Sequence, residues 1–185
     1  MKFFKNPLVA VLISVGVVFF ATVKSVEVKF GAECDAITDI FYDGMVYEGF
    51  MQDGIAKHLK DIYTACDNIN IIAESYNASE DDFRYRSEDL RLALTYSPEE
   101  TSYIYHCYEE LLKELRYVSS NLEACDLSSN DFNSLKAEQE IIANAQEFIS
   151  QSGYNQAVRE FLKSVPEFTE EIADMAGVEL PEYFG

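Results

Sequence analysis

Apolar residues recur along two long stretches of the chain at alternating steps of four and three positions. This spacing keeps them on one face of an α-helix, while the period-two alternation that is typical of strands is almost absent. Two such faces predict long helices that pack side by side in an all-α bundle. The first face consists of Ile55, Leu59, Ile62, Cys66, Ile69, Ala73 and Tyr76, and the second of Ile104, Tyr108, Leu111, Leu115, Val118, Leu122 and Cys125.

Turn and capping residues divide the rest of the chain into further helices. A first helix over about 26–42 runs into a non-helical loop that three glycines punctuate, and the turn Asn77-Ala78-Ser79 ends the next helix. Later helices are predicted to begin at Glu80, at Ser97 with Pro98 in its first turn, and at Ser128. The helix from Ser128 is bent at Gly153 and ends at Pro166, and a short helix follows from Thr169 to Met175.

An uncharged apolar run of 17 residues, Pro7 to Val23, precedes the predicted bundle. As a helix it is about 26 Å long, at the short end of what crosses a hydrocarbon core. Lys2 and Lys5 lie before it and Lys24 after it, which predicts a cytoplasmic N-terminus and an exported body. The sequence therefore predicts a single-pass cell-membrane protein.

Two other interpretations of this run were weighed against an anchor. A cleaved signal peptide needs small residues at its cleavage site, and the best candidate, Val23-Lys24-Ser25, has a lysine between the two key positions. A buried core helix is the third interpretation. We expect a membrane anchor in residues 1–25, with the transmembrane helix at about 7–23, and an extracytoplasmic helical domain in residues 26–185.

Charge divides the chain at the same place. The whole sequence has a net charge of −19, but the part from Val26 onward carries 11 basic and 33 acidic residues, a net charge of −22. Such a body repels phosphates, which excludes a nucleic-acid binder and a polybasic membrane-surface protein. The 48% of hydrophobic residues argues against disorder.

The cysteines and histidines form no recognised site pattern. Without a C-x-x-C pair, zinc or thioredoxin-like chemistry is poorly supported. Cys66 and Cys125 lie on apolar faces, which favours buried free thiols, although disulfides stay open in an exported domain. Both histidines, His58 and His106, are expected on the surface. His106 shares a helix face with two glutamates, but a carboxylate di-metal bundle needs E-x-x-H on two helices. We expect no catalytic residues, metal or cofactor.

Acidic and tyrosine-rich stretches leave a second kind of function open. Glu80-Asp81-Asp82 has no EF-hand spacing and is most simply a solvated face near a helix N-terminus. Four tyrosines on one predicted helix cannot all face the core, so some remain in contact with water. These residues are Tyr103, Tyr105, Tyr108 and Tyr117.

The C-terminal part carries a recognisable order of motifs. It contains Tyr154-Asn155-Gln156-Ala157-Val158-Arg159-Glu160-Phe161, then Pro166, then Ala176-Gly177-Val178-Glu179-Leu180-Pro181-Glu182-Tyr183-Phe184. This order resembles the end of the bacterial LemA family, where a YN-x-A-V-R-[DE]-[YF] helix precedes a proline and a P-x-x-[YF]-F tail. The apolar N-terminal run leading into a helix is also LemA-like, and the chain resembles a divergent, Gram-positive-type branch.

The resemblance implies a single-pass membrane protein with an extracytoplasmic antiparallel helical bundle and no established enzymatic activity. We expect the tail to fold back and dock its aromatic end against the bundle, with Arg159 paired to a carboxylate. The leading hypothesis is a protein of the cell envelope that acts through an unknown protein partner. The alternative is an extracytoplasmic domain that binds a ligand or a cation. The motif residues to follow are Tyr154, Asn155, Arg159, Pro181, Tyr183 and Phe184.

Overall fold

The computed structural model describes residues 7–47, 50–79, 81–165, 169–178 and 180–185. Within these residues the fold is a helical bundle with one small hairpin of two strands. The elements are α1 Pro7–Tyr42, β1 Met45–Tyr47, β2 Phe50–Gln52, α2 Ile55–Ser75, α3 Asp81–Tyr96, α4 Thr101–Glu123, α5 Ser129–Gln151, α6 Tyr154–Ser164 and α7 Thr169–Ala176.

The two predicted apolar faces form the core of the bundle. In α2 every member of the face is buried except the half-buried Tyr76 at the end of the helix, and in α4 all are buried except the half-buried Leu115 and Cys125. Removing such side chains from water is the main stabilising contribution to a fold of this kind. The prediction of long helices that pack side by side is confirmed.

Contacts between neighbouring helices run in opposite chain directions. Between α2 and α5, the ring of His58 near the start of α2 stacks on Phe148 near the end of α5. At the other end, the hydroxyl of Tyr76 donates a hydrogen bond of 2.6 Å to Asp131. Between α1 and α6, the ring of Phe30 contacts Phe161, and Phe41, further along α1, contacts Tyr154. Both pairs are therefore antiparallel.

Helix α1 runs without interruption through the boundary predicted between residues 25 and 26. From Val26 to Phe41 it contributes a buried face to the core. From Ser14 to Thr22 every side chain is exposed. In the described part of the chain, no helix meets the length and hydropathy needed to cross a membrane. Residues 1–6 of the predicted anchor lie outside the described residues.

Three expectations about element boundaries are corrected. Helix α4 begins at Thr101 rather than at Ser97, because the N–H of Glu100 donates to the carbonyl of Ser97 at 3.1 Å and closes a turn around Pro98. Gly153 adopts a φ of +66° and separates two helices, α5 and α6, instead of bending one. Such a left-handed conformation is open to glycine at little cost.

The third correction concerns the loop after α1. It is non-helical as predicted, but it contains the hairpin of β1 and β2, in which Val46 pairs with Met51. The predicted cap of α5 is confirmed, since the hydroxyl of Ser128 accepts a hydrogen bond of 3.2 Å from the N–H of Asp131.

Candidate functional site

The C-terminal tail, residues 180–185, lies in a cleft between the end of α1 and the starts of α4 and α6. We call this the tail cleft and define it by Phe41 of α1, Thr101, Tyr105 and Tyr108 of α4, and Tyr154 and Asn155 of α6. Three of the six motif residues meet there, namely Tyr154, Asn155 and Phe184. The prediction that the tail folds back onto the bundle is confirmed.

Asn155 holds the main chain of Phe184 at two points. Its side-chain amide donates to the carbonyl of Phe184 at 2.8 Å, and its carbonyl accepts from the N–H of Phe184 at 2.8 Å. An extended peptide receives the same pair of hydrogen bonds from a neighbouring β-strand. Asn155 therefore replaces a strand partner, and both polar groups of the Phe184 main chain are satisfied.

The side chain of Phe184 fills an aromatic pocket and is 5% exposed. Its ring centroid lies 5.1 Å from Tyr105, 5.5 Å from Phe41 and 6.0 Å from Tyr108. The contacts with Tyr105 and Phe41 are edge-on, the arrangement that brings the positive edge of one ring to the negative face of another. The pocket therefore suits a planar aromatic side chain.

The carbonyl of Glu182 is the third point at which the cleft holds the tail. The hydroxyl of Tyr154 donates to it at 2.9 Å, and the hydroxyl of Thr101 donates at 3.3 Å. The carboxylate of Glu182 accepts from the N–H of Ser102, in the first turn of α4, at 3.4 Å. Burial raises the pKa of Tyr154, which keeps its phenol protonated and able to donate at neutral pH.

The other three motif residues do not build the cleft. Arg159 is exposed on α6, and no carboxylate among the described residues lies within ion-pair distance of it, so the predicted pairing is wrong. Tyr183 is 40% exposed and Pro181 is half-buried. The chain alternates at this point, because an extended segment that buries Phe184 directs Tyr183 to the opposite side.

Several residues of this region were not found from the sequence. Phe41 and Thr101 lie far from the C-terminal motif along the chain, and only the fold brings them to it. Tyr42 is a further example, since its hydroxyl donates to the carbonyl of Pro98 at 2.7 Å and ties α1 to the turn before α4. Burial raises the pKa of Tyr42 to about 12. The one available signal was the tyrosine cluster of α4.

The two histidines lie in different surroundings. His106 is exposed as predicted, but His58 is buried, with its ring 4.8 Å from Phe148 and nearly parallel to it. The expectation of a surface position was wrong for His58, because it faces α5 beside the apolar face of α2. Burial lowers its pKa, although Asp61 and Asp53 act in the opposite direction. Within the described residues, no three metal-ligating side chains form a group that could hold a metal.

The four cysteines are free thiols, of which Cys34, Cys66 and Cys107 are buried and Cys125 is half-buried. The prediction of buried thiols therefore holds for Cys66 and is wrong for Cys125, whose thiol donates to the carbonyl of Asn121. Burial raises the pKa of Cys34 to about 11, and that of Cys66 is raised as well. A raised pKa leaves little thiolate at neutral pH, so these thiols are unreactive.

An acidic depression of about 400 Å³ lies next to the tail, between α7 and the turn before α4. Four carboxylates line it, from Glu99, Glu100, Asp174 and Glu182. It is the geometric feature closest to the predicted acidic binding surface.

Comparison with known protein families, with curated proteins and with solved structures finds no match to this chain.

Proposed function

We propose that this chain is a membrane-tethered helical module of the bacterial cell envelope that works by binding another protein. In this proposal the N-terminal part of α1 is the tether, the N-terminus is cytoplasmic, and the bundle lies on the extracytoplasmic side. The resemblance to the LemA family, read from the sequence, supports the same arrangement.

The exposure pattern of α1 is the observation that carries the proposal. Val15, Val17, Val18, Phe19 and Phe20 are each more than half exposed, on all sides of the helix. A helix that is apolar all round is typical of a membrane span or a buried core helix, and this part of α1 is not buried in the bundle. Its main-chain groups are hydrogen-bonded within the helix, as a hydrocarbon environment requires.

The continuity of α1 gives the tether a mechanical consequence. The same helix exposes apolar residues before Lys24 and buries Val26, Phe30 and Cys34 against the bundle after it. No flexible linker separates the two parts. The bundle would therefore stand at a fixed orientation to the membrane, held off an anionic surface by its own charge of −22.

Exposed aromatic residues on the bundle support a protein partner. Tyr96 and Tyr117 are 76% and 50% exposed, and Phe132 is 49% exposed. Aromatic side chains are enriched at protein interfaces, where they supply a large contact area at a low entropic cost.

Photo-crosslinking in native membranes tests the interaction. A photoreactive amino acid placed at Tyr96 or Tyr117 should give one discrete crosslinked product, and the same amino acid at the exposed, charged position Glu123 serves as the control. The proposal fails if the aromatic positions give no more product than Glu123. It also fails if the purified protein turns over a substrate and loses that activity on substitution of His106 or a cysteine.

The acidic depression favours cation binding as the second candidate function. A calcium ion present at about 100 times its dissociation constant would raise the free energy of unfolding by about 2.7 kcal/mol. Melting curves with and without millimolar calcium test this, and the double variant Glu99→Gln with Asp174→Asn should abolish any shift. An unchanged melting curve of the unsubstituted protein excludes calcium.

A further inference from the structure

We propose that the tail cleft is an exchange site between two copies of this chain, in which the tail of each copy occupies the cleft of the other. The ligand is the segment from Leu180 to Gly185, and the site is the tail cleft. The exchange needs only these two parts, so it does not depend on the membrane tether.

Recognition in the cleft is confined to main-chain atoms and one aromatic ring. The cleft contacts the carbonyl of Glu182, the N–H and carbonyl of Phe184 and the ring of Phe184. This is how peptide-binding domains bind extended segments, with main-chain hydrogen bonds giving affinity and one side-chain pocket giving specificity. A tail arriving from a second copy makes the same contacts as the molecule's own tail.

The tail is built as a detachable segment. It has no regular secondary structure after α7 ends at Ala176, so it forms no internal hydrogen-bond ladder that exchange would disrupt. Pro181 fixes its own φ and favours an extended residue before it, which keeps the segment in the binding conformation when it is released. A preorganised ligand loses less entropy on binding.

The second copy is the occupant that the contacts identify. Every copy carries both a cleft and a segment that fits it, so reciprocal exchange closes into a symmetric pair with no unfilled site. Exchange replaces each intramolecular contact by an identical intermolecular one, so local concentration decides the outcome. The tether of the proposed function would raise that concentration.

Complementation between two variants tests the exchange in the full chain, purified in detergent. Asn155→Ala disables the cleft and leaves the tail intact, whereas Phe184→Ala disables the tail and leaves the cleft intact. Carrying different affinity tags, the two variants should form a mixed pair through the one intact cleft and the one intact tail. Each variant alone should self-associate at least tenfold more weakly than the unsubstituted protein.

Two results would overturn the proposal. If the unsubstituted protein and the mixture both remain monomeric in sedimentation runs up to several hundred micromolar, the tail stays in its own cleft. If each variant alone associates as strongly as the mixture, the contact lies elsewhere. The proposed function is judged separately, since membrane association does not enter this measurement.

A peptide measurement keeps the test informative if a variant folds poorly. Far-UV circular dichroism first establishes that the Phe184→Ala protein retains its helical content. A labelled peptide with the sequence of residues 178–185 should then bind it saturably, and the same peptide with alanine in place of its phenylalanine should bind at least tenfold more weakly. Equal binding of both peptides, or no binding by a folded variant, contradicts the proposal.

Discussion

Val17 and Phe20 near the start of α1 and Phe184 in the tail are all strongly apolar, but the structure treats them in opposite ways. Val17 and Phe20 are 62% and 64% exposed, whereas Phe184 is 5% exposed. The tail has no helix of its own, so its burial needs external partners for its main chain, and Asn155 and Tyr154 supply them. The start of α1 satisfies its own main chain but finds no apolar surface within the bundle.

The comparison teaches that an apolar segment is buried only where the fold offers both a pocket and hydrogen-bond partners. The tail meets both conditions inside the molecule. The start of α1 meets only the second, and a hydrocarbon environment is the surrounding that supplies the first. The predictions below test the two sides of this contrast.

The largest effect is expected from charges in the exposed part of α1. In the double variant Val17→Asp with Phe20→Asp, each aspartate opposes membrane insertion by about 3 kcal/mol at the centre of a span. The protein should move from the membrane fraction to the soluble fraction while the melting temperature of the bundle stays unchanged. The control is Val28→Asp, which is also on the exposed side of α1 but beyond Lys24, and it should remain in the membrane fraction.

Truncation of the buried tail residue should have the next largest effect. Phe184→Ala removes a ring from three aromatic contacts and should lower the free energy of unfolding by about 3 kcal/mol in urea titrations. Its neighbour provides the matched control, because Tyr183 is exposed and Tyr183→Ala should change stability by less than about 0.5 kcal/mol. Equal effects at the two positions would contradict the docked tail.

Loss of the main-chain partner of the tail should cost less. Asn155→Ala removes both hydrogen bonds to Phe184 and should lower the free energy of unfolding by about 2 kcal/mol. Hydrogen exchange at the Phe184 amide should become faster at the same time. Gln156→Ala, at the next and exposed position of α6, should leave both measurements unchanged, and a slow Phe184 amide in Asn155→Ala would refute the role of Asn155.

The smallest effect concerns the bundle itself and follows from His58. Because burial lowers its pKa, the unfolded chain takes up a proton more readily as the pH falls through about 6.5. The contribution of neutral His58 to stability is therefore complete above that pH and declines below it. His58→Leu should flatten the decline between pH 7 and 5 in denaturation experiments, whereas exposed His106→Gln should keep the profile of the unsubstituted protein.

The helices could be predicted because their information is local. The four-and-three spacing in α2 and α4 places seven apolar side chains on one face of each helix, whatever the neighbouring element is. The cap at Ser128 is equally local. The start of α4 was misplaced because Ser97 and Pro98 favour a helix N-terminus and a turn equally well, and here they form a turn that Tyr42 binds.

The cleft could be predicted only in part, because its two halves lie far apart in the sequence. The motif indicated Tyr154, Asn155 and Phe184, but the pocket also needs Phe41 and Tyr105, which only the packing of α1 and α4 brings to the tail. Arg159 was expected to form an ion pair in an acidic protein. Its position on the exposed side of α6 leaves it in water instead.

Protease accessibility tests the central claim, that α1 tethers an extracytoplasmic bundle, most directly. Protoplasts that express the full chain with an N-terminal epitope are treated with protease before and after the membrane is opened. The account predicts that external protease removes the bundle from sealed protoplasts and leaves a short epitope-bearing fragment intact. A bundle that stays intact until the membrane is opened would contradict it.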